Sequence, residues 1–191
     1  VGGKGTSDLT GFAGSPDGKT KGNPKARIAF LCDVDDRQAV ESRKNFPNAK
    51  YYKDFRVMLD KEGKGIDAVS VSTPDHTHAV VAMAAMSRGK HVYVQKPLTH
   101  NIWEARMLTE AAAKYRVVTQ MGNQYASADP ARQVKEIIDA GLIGDVSNVQ
   151  AWTNRPVWPQ GVPAPTGKFD IPSELDWDLW IGPSKMIDFN P

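Results

Sequence analysis

Lys96 stands in the triplet Gln95-Lys96-Pro97, directly after the apolar alternation "HVYV". An ammonium at the carboxyl end of a strand can hydrogen-bond a hydroxyl or ketone oxygen and stabilise the charge that develops there during hydride transfer. Pro97 fixes the backbone that follows. The plain alternative is a solvated loop lysine, and position alone does not separate the two.

Four further groups could serve the same site. Gly2, Gly3 and Gly5 form half of a G-x-G-x-x-G fingerprint, with Gly2 and Gly5 in the second and third glycine places. The second glycine lets backbone approach a pyrophosphate, and the third allows close helix–strand packing. Asp33 ends the next apolar run, where such a fold wants an acid for the adenosine ribose. The interval from Gly5 is longer than the usual about 20 residues. The Gly/Pro/Lys-rich stretch 14–24 reads as a loop that absorbs the excess. A carboxylate at Asp33 accepts hydrogen bonds from the ribose diol and repels a 2′-phosphate, which favours NAD over NADP. Arg37 is near enough in sequence to soften that preference, so NADP stays open. The alternative for Asp33 is a turn or cap residue.

Thr73, Pro74 and His76 follow a third apolar run in "STPDHTH". Their hydroxyl and backbone groups could line the pyrophosphate and nicotinamide side. Equally, Asp75 or Thr77 could only cap the next helix and His76 could lie on the surface. His78 reads as a surface residue. No cysteine or carboxylate cluster accompanies the two histidines, which argues against a metal site. Asn123, in "QMGNQ", also follows a strand-like run.

These residues need a scaffold that brings strand ends together. Strand-like runs occupy 27–33, 51–52, 66–73, 91–94, 117–119 and 146–153. Helix-like runs fall between them. Asp35 is placed to cap a helix over 35–46, and Asp54 to cap a short one carrying Phe55, Met58 and Leu59 inward. The almost wholly apolar 78–88 ends at Gly89, as a helix prefers. Asn101 and Glu104 have capping-box spacing at the start of 101–114. Asp129-Pro130 opens a helix whose Ala131, Val134, Ile137 and Ile138 share a face, and Gly141 ends it. Strand, helix, strand at this spacing predicts right-handed βαβ units and a Rossmann-type, doubly wound parallel sheet. Ligands of such sheets sit at the carboxyl ends of the strands, where these candidates lie.

Bulk properties exclude other classes. The 191 residues carry a net charge of +2, with 24% charged and 40% hydrophobic residues, ordinary for a globular domain and unlike a nucleic-acid surface. No run approaches the roughly 18 apolar residues of a membrane helix. The lone Cys32 leaves the redox compartment open. Both ends read as cuts in a longer chain. On that reading the strand before Val1 is central to the sheet, and without it its neighbours would leave ladder groups unpaired at about 1–3 kcal/mol each.

The stretch "TPDHTHAVVAMAAMSRGKHVYVQKPLTHNIWEARMLTEAA", with "LCDVD", "QMGNQ" and "AGLIGDV", resembles the Gfo/Idh/MocA oxidoreductases over about residues 1–155. The resemblance implies a Rossmann domain, here 1–145, and the start of a C-terminal α/β substrate and oligomerisation domain, here 146–191. It implies NAD(H) or NADP(H), a sugar, polyol or related substrate, and a homo-oligomer when full length. The family's triplet lysine maps onto Lys96, its nucleotide acid onto Asp33, its glycines onto Gly2 and Gly5, and its Thr-Pro-x-His onto Thr73, Pro74 and His76. "WTNRPVWPQG" resembles a branch with many exported, twin-arginine-signal precursors, so the compartment is exported or cytoplasmic. Two departures stand out. The triplet begins with Gln95 where the family has Glu, and no Asp-x-x-x-His motif supplies a second-domain acid/base. Besides a dehydrogenase, the resemblance admits a glycosidase working by transient oxidation and elimination, and a nucleotide-binding scaffold whose chemistry has lapsed.

Overall fold

Among the described residues of the computed structural model, the strands that form ladders pair in parallel, and a helix follows each of them. The structure describes residues 1–15, 17–154, 161–163 and 165–191. Most of the "WTNRPVWPQG" stretch lies outside the described residues.

The described chain forms two compact units, one of Val1–Gly122 with Phe169–Phe189 and one of Asn123–Lys168 with Asn190–Pro191. The expected boundary at 145/146 therefore differs from the compact units, and residues 169–189 group with the first. That unit starts with helix α1 (Lys4–Ala13) and then alternates: β1 (Phe30–Cys32), α2 (Asp36–Asn45), β2 (Lys50–Tyr52), α3 (Phe55–Glu62), β3 (Ala68–Val71), α4 (His78–Met86), β4 (His91–Gln95), α5 (Ile102–Tyr115) and β5 (Thr119–Gly122). The short α7 (Trp177–Ile181) belongs to it as well. The strands make two sheets, β1-β2 and β3-β4-β5. Parallel strands joined through helices are the pattern of a doubly wound, Rossmann-type fold.

Local chemistry explains the helices. Asp35 caps α2 by accepting the Arg37 N–H, and Asp54 caps α3 by accepting the Arg56 N–H. At α5 the expected capping box is present with one shift. Asn101 Oδ1 accepts the Glu104 N–H at 2.9 Å, while the Glu104 carboxylate accepts from His100 N. Helix α4 is rich in Ala and Met, both strong helix formers. Ala79, Ala82 and Ala85 are buried, and their small side chains let α4 lie close on the sheet beside Val71, Val92 and Val94. Leu108 and Ala111 of α5 complete that core. A second cluster of Met58, Leu59 and Ile66 packs with Phe30 and Tyr52. Truncating the fully buried Met86 to Ala would cost about 2–5 kcal/mol.

The second unit contains α6 (Asp129–Asp139). Its Val134, Ile137 and Ile138 are exposed. The strand expected over 146–153 does not form, and the described residues there are exposed coil. Its alternating apolar residues have no pairing strand among the described residues, and an unpaired strand is not stable alone. Two helices were not anticipated, α1 and α7. Among the described residues no helix is long and apolar enough to cross a membrane.

Candidate active site

The strand ends of the first unit gather most of the candidates. Gly2 and Gly3 form the turn into α1, with Gly3 at φ 45 as its N-cap. A Cβ on Gly2 would lie 2.6 Å from Gln38 Cβ, too close for any side chain. Gly5 is less constrained, since a Cβ there would reach Ser72 Cβ at an ordinary 3.7 Å. No side chain caps the N-terminus of α1, which leaves that helix end suited to an anion.

Asp33 follows β1 and faces this turn. Its Oδ2 accepts the Gly2 N–H at 2.9 Å, and its Oδ1 accepts the Asp35 N–H at 3.1 Å. Tyr51 Oη donates to the Asp33 carbonyl at 2.7 Å. Arg37 is occupied. Its Nε and Nη2 fork onto the Asp35 carboxylate at 2.9 and 2.7 Å. Hydrogen bonds from Arg37 hold the Asp35 carboxyl below the usual carboxylate range. Burial pushes the neighbouring Cys32 thiol up to about 12.

Thr73, Pro74 and His76 form the loop after β3. Thr73 Oγ1 accepts from Thr77 Oγ1 at 2.8 Å, and the Pro74 carbonyl accepts the Thr77 N–H. His76 Nε2 donates to the Trp180 carbonyl at 3.0 Å and its ring packs on the Trp180 indole. His78 is not a surface residue. It is 1% exposed, with ring nitrogens 2.6 Å from the Pro97 carbonyl oxygen and 2.9 Å from that of Thr73.

Lys96 follows β4, and its N–H continues the ladder by donating to the Gly122 carbonyl at 3.2 Å. Its side chain is exposed, and among the described residues its ammonium has no hydrogen-bond or ion-pair partner. Gln95 beside it is buried, and its Nε2 donates to both Asp8 oxygens at 3.0 and 2.9 Å. Asp8 also accepts from Ser72 Oγ at 2.6 Å and Lys4 Nζ at 2.7 Å. Asn123 belongs to the second unit, where its carbonyl accepts the Ala126 N–H.

Sequence reasoning passed over Asp8, Ser72 and the inward role of His78. One signal was present for His78: it is a polar residue opening the apolar run "HAVVAMAAM". Among the described residues no group of three or more potential metal ligands occurs.

A glycine turn into an uncapped helix, an acid at the next strand end and a parallel sheet define a dinucleotide-binding Rossmann domain. The residues present fit such a cofactor: Gly2 and Gly3 leave room at the turn, and the Asp33 carboxylate lies beside it. The model of the Gfo/Idh/MocA oxidoreductase family, NAD-binding Rossmann fold, matches residues 10–123, more than half of the chain. The chain belongs to that family.

Its curated relatives include a scyllo-inositol 2-dehydrogenase (NAD(+)) of Bacillus subtilis, 36% identical over 63% of this chain and 35% of that protein. A levoglucosan dehydrogenase of Pseudarthrobacter phenanthrenivorans is 26% identical over 66% of this chain and 33% of that protein. The chain thus spans about a third of the length of these relatives. Among solved structures, the scyllo-inositol dehydrogenase of Lactobacillus casei with bound NAD(H) and scyllo-inositol has the same fold. Its TM-score is 0.66 at 24% identity, covering 76% of this chain and 40% of that one.

Proposed function

We propose that this chain is the cofactor-binding part of an NAD-dependent oxidoreductase acting on a secondary alcohol of a sugar, polyol or related carbohydrate. The bound nicotinamide would supply hydride chemistry. Gly2, Gly3 and Gly5 would face the pyrophosphate at the head of α1. Asp33 would accept hydrogen bonds from the adenosine ribose. Thr73, Pro74 and His76 would line the loop between pyrophosphate and nicotinamide. Lys96 would hydrogen-bond the reacting oxygen and offset negative charge developing on it.

The observation that carries this reading is the Lys96 ammonium. It is exposed and, among the described residues, unpartnered at a strand's carboxyl end, while its neighbour Gln95 is buried and anchored. NAD is favoured over NADP because Asp33 would repel a 2′-phosphate while Arg37 is already paired with Asp35. The experiment is Lys96→Ala in the complete protein, with NADH binding by fluorescence and turnover on scyllo-inositol and levoglucosan as probes. Turnover should vanish while NADH affinity stays within about 3-fold. Unchanged turnover would refute the role of Lys96.

A further inference from the structure

The buried Asp8 carboxylate collects three donors, and each sits next to a candidate site residue. Lys4 lies between Gly3 and Gly5, Ser72 precedes Thr73, and Gln95 precedes Lys96. The three come from the head of α1, the end of β3 and the end of β4. Asp8 and Gln95 are only 8% and 4% exposed. A buried carboxylate needs such donors, because stripping one away leaves a charge uncompensated in a low dielectric.

The contact also explains Gln95. Its amide gives one nitrogen to both Asp8 oxygens. A carboxylate at position 95 would set acceptors against acceptors, and two like charges in contact cannot both ionise. The position is also closed behind, since a Cβ on Gly122 would lie 2.5 Å from Tyr93 Oη and 2.9 Å from Gln95 Nε2. Gln95 therefore has little room to swing away.

We propose that Asp8 is the positioning residue of the site. With Gln95 as its obligate neutral partner, it sets the register of the glycine turn, the Thr73 loop and Lys96 against one another. The proposal rests on the reading of these three segments as the cofactor and substrate side of the domain. It assigns no contact between Asp8 and either ligand.

The test compares Gln95→Glu, Asp8→Asn and the exchanged pair Asp8→Asn/Gln95→Glu with the native protein, all in the complete protein. Melting temperature and NADH affinity are measured at about pH 5.5 and about pH 8.5. In Gln95→Glu the two carboxyl groups share a proton, so the folded pKa of one is raised above its unfolded value. Its stability contribution is then present at low pH and lost as pH rises. Gln95→Glu should therefore melt lower at the higher pH and bind NADH about 10-fold more weakly there than at the lower one. The exchanged pair restores donor against acceptor and should recover both to within about 3-fold in affinity, with the pH dependence removed.

Two results would overturn the proposal. One is an exchanged pair no better than Gln95→Glu. The other is a Gln95→Glu protein whose melting temperature falls while its NADH affinity stays native at both pH values, since that marks a structural contact alone. A native protein that binds no NADH would instead refute the cofactor reading itself, and the positioning role of Asp8, which rests on that reading, would fall with it.

Discussion

The ring of His78 lies between the Thr73 and Pro97 carbonyl oxygens, 2.9 Å from one and 2.6 Å from the other. One buried side chain at the head of α4 thus joins the loop after β3 to the loop after β4. Those loops carry Thr73, Pro74 and His76 on one side and Lys96 on the other. A carbonyl left unpaired in a buried place costs about 1–3 kcal/mol. His78→Ala removes the ring N–H that one of these two carbonyls accepts, and opens a cavity. It should destabilise the protein by about 2–4 kcal/mol in denaturant unfolding. It should also lower kcat more than NADH affinity, because it frees the backbone beside Lys96. A loss below about 0.5 kcal/mol would contradict this account.

Cys32 lies one residue before Asp33 yet should be chemically silent. Its Sγ points to the Lys53 carbonyl at 3.6 Å, and burial raises the thiol from 9.0 to about 12. The thiolate is the reactive form, so an aromatic disulfide reagent at about pH 8 should label the folded protein far more slowly than the urea-unfolded one. The linkage has a definite sign. The folded value lies above the unfolded one, so the stability tied to the neutral thiol is intact below pH 9.0 and is lost as pH climbs toward about 12. Cys32→Ser should flatten that alkaline limb. Rapid labelling of the native protein would place the thiol at the surface instead.

Sequence and structure agree where a signal is local and part where it is not. The βαβ order follows from apolar runs, caps and glycines that each read within a few residues. Asp33 and Lys96 do stand directly after β1 and β4, because strand ends can be located from such runs. Helix α1 escaped because "KGTSDLTGFA" holds two glycines and has no side-chain cap at its start. The strand expected at 146–153 was misread because alternation shows only that a segment could be half-buried, not that a partner exists. Asp8 was invisible for a different reason. Its partners Ser72 and Gln95 lie 64 and 87 residues away, and nothing in a single sequence links an acid on one helix to a glutamine that far along.

Cofactor choice should follow the two aspartates after β1. Asp33 lies by the glycine turn, and Asp35 holds Arg37 with a bidentate pair. The native protein should bind NADH at least about 10-fold more tightly than NADPH, the scale of a lost charged hydrogen bond. Asp33→Ser should weaken NADH by about 10-fold and narrow the difference. Adding Asp35→Ala frees the guanidinium for a 2′-phosphate, and NADPH should then gain. Competitive fluorescence titration with both cofactors measures this. An Asp33→Ser protein with unchanged preference would remove Asp33 from the ribose site.

His76 sits on the loop after β3 and also touches Trp180 of the returning segment. The segment 169–189 returns to the first unit through an antiparallel bridge between Asp35 and Leu175, and Lys53 Nζ donates to the Glu174 carbonyl at 2.8 Å. Helix α7 then sets Trp180 on His76, and Trp177 stacks on Trp180 with centroids 4.8 Å apart. If His76 anchors this segment, His76→Ala and Trp180→Ala should each cost about 1–2 kcal/mol and couple by about 1 kcal/mol in a double-mutant cycle. NADH affinity should then stay within about 3-fold in both. If His76 serves the cofactor, His76→Ala should weaken NADH by about 10-fold and show no coupling to Trp180. Hydrogen exchange over 169–189 gives an independent readout, because loss of an anchor raises exchange in that segment before the rest of the domain responds.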